Sequence, residues 1–392
     1  MELFSGDKEV IKKDILELTD AVNHSRNSSE SMHIYNLLQT LSYFYSFFDE
    51  KGYDYFKKST YNFKDFVSKQ DAIFSSKLKR ANKNYIENKL FHQEFIDSLM
   101  DGKTIEYPTS LLAITNDYDF NDKEMYDILT SFLNSYNRGS NKLLDQLIEE
   151  KRIHKTSLYG DTRGITISNY YLENYHVFIS DEDNLESLIA LVHEFGHVVD
   201  SNNLLHSFPK KVAYNYFIKS SFLETISSLY EKDFCDFLIK EKIYPNATRE
   251  YLVDYYHSMY TMFDYAEITA SLPDNLLKNQ KYRCISKEKL IEKLYETNYY
   301  VNEEDMPYPS ELEMYSDIEY GYGKFLATYF SYLKKHDTTK FSEQFDRFLN
   351  IRGDYFRPDF LEYIGTNRND AIKIVEEEIN SSTSKVIVKK TI

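Results

Sequence analysis

The stretch DNLESLIALVHEFGHVVD, residues 183–200, carries the strongest structural signal in the sequence. Its apolar residues recur at the i, i+3, i+4, i+7 spacing of an amphipathic helix, and the buried stripe would comprise Leu185, Leu188, Ile189, Val192, Gly196 and Val199. Asp183 followed by Glu186 resembles a capping box and predicts the helix start. Gly196 costs about 1 kcal/mol relative to alanine inside a helix, so its presence predicts a close packing contact there.

On the adjacent face of this helix lie two histidines separated by one turn, His193 and His197. Side chains four residues apart project from consecutive turns toward one point, so both imidazoles could bind one metal ion. Catalytic zinc sites use three protein ligands and leave a fourth position for water. Glu194 would face that water as a general base, as in the metalloprotease pattern His-Glu-x-x-His. The pattern predicts zinc as the cofactor.

A third ligand is predicted in SSFLETISSLYE, residues 220–231. Glu224 and Glu231 are seven residues apart and would lie on nearly one line of a helix. Glu224 could therefore bind the metal. Glu231 could accept the second ring hydrogen of a zinc-bound histidine, which usually goes to a carboxylate or carbonyl.

The rest of the chain is predicted to be mainly α-helical, because Gly (11) and Pro (7) are scarce and helical spacing recurs throughout. Residues 1–150 form the predicted N-terminal helical region, and residues 151–392 form the predicted catalytic region. The exception is a segment rich in β-branched and aromatic residues, in which Gly164–Ser168 and Tyr175–Ile179 are strand candidates.

Charge and cysteine content narrow the functional class. The formal net charge of -16 argues against nucleic-acid binding. Neither a signal peptide nor a membrane-spanning stretch is expected from the sequence, so membrane association is not predicted. The two cysteines, Cys235 and Cys284, lack metal-ligand spacing and are expected to be buried free thiols. A cytoplasmic, reducing location is therefore predicted.

In these motifs the sequence resembles the thimet oligopeptidase and oligoendopeptidase F superfamily of zinc peptidases. HEFGH is followed by the pattern E-x-x-S-x-x-x-E, matched by Glu224, Ser227 and Glu231, and the resemblance covers about residues 155–335. It implies a large helical two-lobed fold with a deep substrate cleft and a small antiparallel β-sheet beside the zinc-binding helix. It also implies zinc-dependent hydrolysis of internal bonds in peptide substrates.

The resemblance further implies roles for a strand and for tyrosines. A Gly-containing hairpin and a strand run along the substrate in this superfamily. The matching residues are Gly164, Tyr175, His176, Val177 and Phe178, and the strand would hold the peptide by edge pairing. A tyrosine-rich helix matches residues 315–328, so Tyr322, ahead of Tyr320, is a candidate donor to the oxyanion.

Two alternatives remain at this point. A zinc carboxypeptidase could use the same metal motif, with Arg163 or Arg283 binding the free carboxylate of the substrate. A non-catalytic helical binding protein could have kept the fold, although the ligand set here is complete.

Overall fold

The computed structural model describes residues 3–25, 28–46, 48, 119–136, 139–157, 163–209, 222–270, 311–351 and 360–383. Within these residues the chain is mainly helical with a small sheet, as predicted. The helices are α1 (Lys8–His24), α2 (Ser28–Tyr45), α3 (Asp122–Tyr136), α4 (Ser140–Glu149), α5 (Leu185–Ser207), α6 (Glu224–Glu241), α7 (Pro245–Ala270), α8 (Glu311–His336), α9 (Thr338–Ile351), α10 (Phe360–Ile364) and α11 (Arg368–Thr383). The strands are β1 (Ile153–Thr156), β2 (Gly164–Asn169) and β3 (Asn174–Ser180).

The three strands form one sheet in the order β1-β3-β2. β2 and β3 are antiparallel neighbours, with Ile165 opposite Phe178 and Ile167 opposite His176. β1 runs parallel to β3, with Ile153 opposite Val177. The sheet is therefore mixed, and the prediction of an antiparallel sheet was wrong for β1. Local strand patterns do not show the direction in which a distant strand pairs.

The described residues belong to two compact units. The first holds those in Met1–Val67, Tyr107–Ile218 and Ile226–Arg249, and the second holds those in Ser68–Glu106, Lys219–Thr225 and Glu250–Ile392. The first unit thus contains residues from both sides of the division predicted at residue 150.

In the first unit, α5 packs on β2 and β3, while α1 packs on α2. α1 is capped by Asp7, whose side chain accepts a hydrogen bond from the Glu9 amide, and its buried stripe includes Ile11, Ile15 and Leu18. β3 is buried on both faces, since every residue after Asn174 is buried. The helix α5, which carries His193 and His197, therefore lies on a sheet whose central strand is almost entirely buried.

In the second unit, α8 packs against α9 and α11. The inner face of α8 carries large buried side chains, including Tyr322, Phe325, Tyr329 and Phe330. No helix among the described residues is both long and apolar enough to cross a bilayer. Cys235 is a buried free thiol, as predicted, whereas Cys284 lies outside the described residues.

Candidate metal centre

The helix that carries the histidines, α5, begins one residue later than the capping box predicts. Its N-cap is Asn184, whose side-chain oxygen accepts a 2.9 Å hydrogen bond from the Ser187 amide. Asp183 instead pairs with Lys155, and Glu186 pairs with Arg163 at 3.2 Å. The prediction that Asp183 caps the helix was therefore wrong. Both acids of the predicted capping box form ion pairs instead, Asp183 with Lys155 of β1 and Glu186 with Arg163, which precedes β2. The predicted apolar stripe is buried.

Three side chains converge as candidate metal ligands: His193, His197 and Glu224. One potential ligand atom from each lies within 4.8 Å of the other two. The imidazole centroids are 5.0 Å apart, and Glu224, the first residue of α6, is 6% exposed. The ligand atoms of a tetrahedral zinc ion lie about 3.4 Å apart. Small rotations of the three side chains would bring their ligand atoms to that separation. Two imidazoles and one carboxylate also match the donor types of catalytic zinc sites, so these residues could hold a metal ion.

Glu231 contacts one of these histidines directly. Its Oε2 lies 2.7 Å from His193 Nδ1 and accepts that ring hydrogen. In a neutral His193 ring this contact favours the tautomer with its proton on Nδ1, whose Nε2 is the atom able to bind a metal. Glu231 is only 4% exposed, so water screens this hydrogen bond little. The sequence pattern predicted such a contact for Glu231 without indicating which histidine would make it.

The predicted close contact at Gly196 is present. A Cβ on Gly196 would lie 2.7 Å from the Cα of Ser227 and 3.3 Å from the carbonyl oxygen of Ile226. Because the nearest atoms belong to the backbone of α6, they could not move aside by a rotamer change. Gly196 therefore permits α5 and α6 to approach closely at the level of the two histidines.

The candidate base, Glu194, is held against β2. A Cβ on Gly164 would lie 2.6 Å from Glu194 Cγ and 3.0 Å from Oε1. Thr166, two residues along the same strand, donates a 2.9 Å hydrogen bond from its hydroxyl to the Glu194 carbonyl. Glu194 is 7% exposed. β2 thus runs directly past the candidate base, and Thr166 is a contact that the sequence analysis missed.

The predicted substrate strand is enclosed in the sheet. β3 pairs with β1 on one side and with β2 on the other, so its backbone has no open edge between Val177 and Ile179. Tyr175, His176, Val177 and Phe178 are all buried. The prediction that a peptide pairs with an edge of β3 was therefore wrong, because both edges of β3 are already hydrogen-bonded to neighbouring strands. Gly164, another predicted substrate residue, does lie against the candidate base.

His176 instead belongs to a buried polar network. Its Nε2 donates to Asp14 Oδ2 at 2.9 Å, and the same oxygen accepts a 2.8 Å hydrogen bond from Arg152. The His154 and His176 rings share a hydrogen bond of 3.1 Å between Nε2 and Nδ1. Burial, with the charges of His176 and Arg152, lowers the pKa of His154 to about 2. The network joins α1 to the sheet through residues that are 162 positions apart in the sequence. Local sequence patterns do not predict contacts between such distant residues.

The two candidate tyrosines occupy different environments on α8. Tyr322 is 2% exposed, and its ring centroid lies 5.7 Å from that of Phe360 and 6.4 Å from that of Phe222. Burial raises the pKa of its phenol. Tyr320 is only half-buried. Tyr322 therefore packs in an aromatic cluster, while Tyr320 retains access to solvent.

No protein-family model matches the sequence, and a search of curated proteins gives no match. The chain is similar to a crystal structure of a protein described as a putative peptidase from Chlamydophila abortus, with 14% sequence identity and a TM-score of 0.45. The similarity covers 98% of this chain and spans 65% of the length of the other. Function is therefore inferred from the side chains of this protein.

Proposed function

We propose that the protein is a zinc-dependent peptidase that hydrolyses internal bonds of peptides. The observation that carries the proposal is the convergence of His193, His197 and Glu224, with Glu194 next to His193 in the sequence. The Glu231 carboxylate on His193 strengthens it, since metal-binding histidines usually have such a partner. A chance pair of surface histidines would require neither the buried acid nor the orienting hydrogen bond.

A zinc ion held by His193, His197 and Glu224 would supply Lewis acidity, which would polarise a peptide carbonyl and make a nearby water more acidic. Glu194 would take a proton from the attacking water on its carboxylate and deliver it to the departing amine nitrogen. The hydrogen bond from Thr166 fixes the Glu194 backbone to β2, and the absence of a side chain at Gly164 leaves room for the Glu194 side chain beside that strand. These contacts support the role of Glu194 as a base that lies next to β2.

An extended peptide would bind along β2. Within the part of the chain that the structure describes, β2 is a terminal strand of the sheet and pairs with β3 alone. It also lies against Glu194, so a peptide paired with β2 would pass the base. Backbone pairing gives affinity with little dependence on side chains. This geometry supports peptides of varied sequence as substrates.

Tyr320 is the better candidate for stabilising the oxyanion. A phenol serving that role must reach solvent or substrate, and Tyr322 is enclosed by Phe222 and Phe360. Tyr320 lies three residues before Gly323 and so shares its helix face, the one that meets Glu224. The role itself remains a proposal for either tyrosine.

The carboxypeptidase alternative receives less support. Arg163 forms ion pairs of 3.2 Å with both Glu182 and Glu186, so two carboxylates already balance its charge. Binding a substrate carboxylate would require Arg163 to leave these partners. Arg283, the other candidate, lies outside the described residues. A purely binding role is also less supported, because the ligand set and the candidate base are complete. The predicted cytoplasmic location remains a proposal that fits the buried Cys235 thiol.

The test compares Glu194→Gln with wild-type protein on an internally quenched peptide blocked at both ends. We expect cleavage by the zinc-loaded wild type and a loss of at least about 10²-fold in the variant, because a neutral amide cannot act as the base. Zinc content should be unchanged. Glu149→Gln makes the same substitution at an exposed position of α4 and should retain activity within about threefold, because surface substitutions away from a site have small effects. Near-normal cleavage by zinc-loaded Glu194→Gln would exclude the mechanism, and cleavage only of peptides with a free C-terminus would favour the carboxypeptidase.

A further inference from the structure

One glycine of α8 lies unusually close to a candidate metal ligand. A Cβ on Gly323 would lie 2.5 Å from the Cβ of Glu224, 2.8 Å from its carbonyl carbon and 2.9 Å from its carbonyl oxygen. These separations are well below ordinary van der Waals contact. α8 therefore packs directly onto the residue that begins α6.

The contact is made with the Cβ and the main chain of Glu224, and no rotamer change can move either of them. At Gly164 an added Cβ would meet the flexible side chain of Glu194, which could rotate away. At Gly323 it would meet the main chain of Glu224, so either α8 or the first turn of α6 would have to move. Glycine is also costly inside a helix, by about 1 kcal/mol relative to alanine, and a close contact explains its use there.

A neighbouring contact holds the same part of the chain. Tyr322, the residue before Gly323, stacks edge-on against Phe222 at 6.4 Å, and Phe222 is 1% exposed. The Thr225 amide donates a 3.1 Å hydrogen bond to the Phe222 carbonyl, which closes the turn that leads into α6. Two consecutive residues of α8 thus fix the turn that presents Glu224.

We propose that Gly323 is a positioning residue for the metal ligand Glu224. The inference rests on the proposed function in that it takes Glu224 to be a ligand. Metal–ligand distances tolerate only about 0.2 Å of variation, so displacing the first turn of α6 would move the carboxylate out of range. Gly323→Ala should therefore weaken zinc binding, even though residue 323 contributes no ligand atom.

The test is zinc affinity, measured by competition with a chromophoric chelator. We expect Gly323→Ala to lose at least about tenfold in affinity, the low end of the effect of disturbing the groups that orient ligands. Gly164→Ala is the matched control, because the same added methyl group meets no metal ligand there, and its zinc affinity should stay within about twofold of wild type. Far-UV circular dichroism and the thermal midpoint show whether each variant is folded.

A double-mutant cycle separates positioning from general destabilisation. In a Glu224→Ala background the carboxylate is gone, so adding Gly323→Ala should change the remaining zinc affinity by less than about twofold. A further tenfold loss in that background would overturn the proposal, as would wild-type affinity in Gly323→Ala alone. If Gly323→Ala does not fold, Phe222→Leu loosens the same turn from its aromatic side. Loss of zinc affinity in that variant supports the proposal, and unchanged affinity overturns it.

Failure of this inference is distinguishable from failure of the proposed function. Wild-type protein that binds zinc tightly, together with unaltered binding in Gly323→Ala, contradicts only the positioning role. Wild-type protein with no affinity for zinc contradicts both.

Discussion

The Oε2 atom of Glu231 and the Nδ1 atom of His193 lie 2.7 Å apart, which joins α6 to α5 two turns after Glu224. One helix thus supplies both a candidate ligand and the group that orients another. A carboxylate in this position also raises the basicity of the histidine toward a metal. The two acids of α6 therefore have different expected effects on metal binding.

Glu231→Gln and Glu224→Gln test this difference. Glu231→Gln retains an oxygen that can accept from His193, so zinc affinity should fall only about 10 to 100-fold, as is typical for residues that contact a ligand. Glu224→Gln replaces a charged ligand by a neutral one and should have the larger effect. Chelator competition on both proteins gives the comparison, and equal losses would show that the two roles are misassigned.

Gly164→Ala should separate catalysis from metal binding. The added methyl group would contact Glu194 and displace its carboxylate, while the three candidate ligands stay in place. We expect turnover of a quenched peptide to fall by about 10 to 100-fold, since small misplacements of catalytic groups are costly. Zinc content should remain that of wild type. Unchanged turnover would mean that Glu194 moves freely or does not act as the base.

Tyr320→Phe and Tyr322→Phe form a matched pair on α8. If Tyr320 stabilises the oxyanion, Tyr320→Phe should lower turnover by about 10²-fold with zinc retained, as expected for the loss of one donor. Tyr322→Phe should change turnover little, because the aromatic cluster with Phe222 and Phe360 would be kept. The reverse result would return the role to Tyr322, and two active variants would remove both tyrosines from the mechanism.

The buried His154 predicts a particular dependence of stability on pH. Its pKa is lowered from the ordinary 6.5 to about 2 by burial, with contributions from His176 and Arg152. The unfolded chain therefore binds one more proton at this position below pH 6.5, and stability falls as the pH decreases. This one proton changes the free energy of unfolding by at most about 1.4 kcal/mol per pH unit.

His154→Phe removes this titration and keeps a ring that can stack on Phe178, 4.8 Å away in the native protein. Urea unfolding between pH 7 and pH 4 should show a shallower loss of stability in the variant, by about one proton. The lost hydrogen bond to His176 would lower its stability at pH 7 by about 1 kcal/mol. Parallel pH profiles for the two proteins would contradict the assignment of this titration to His154.

Local patterns were sufficient for the features that lie on single helices. The spacing of His193 and His197 and the separation of Glu224 from Glu231 both follow from helical periodicity. Contacts between distant segments could not be predicted in this way. The pairing of β1 with β3, the bond from Asp14 to His176 and the contact of Gly323 with Glu224 depend on tertiary packing. A glycine inside a helical pattern was the available signal for Gly323, as it was for Gly196.

Metal analysis of the purified protein tests the central claim most directly. The convergence of His193, His197 and Glu224 predicts about one zinc per chain in the wild type. His197→Ala should lose that zinc, whereas His206→Ala should keep it, because His206 lies on the same helix but bonds the Asn202 carbonyl. Inductively coupled plasma mass spectrometry of the three proteins gives the stoichiometry. About one zinc in the wild type and in His206→Ala, with little in His197→Ala, is the predicted result. A metal-free wild type that cleaves peptides at full rate would contradict the claim.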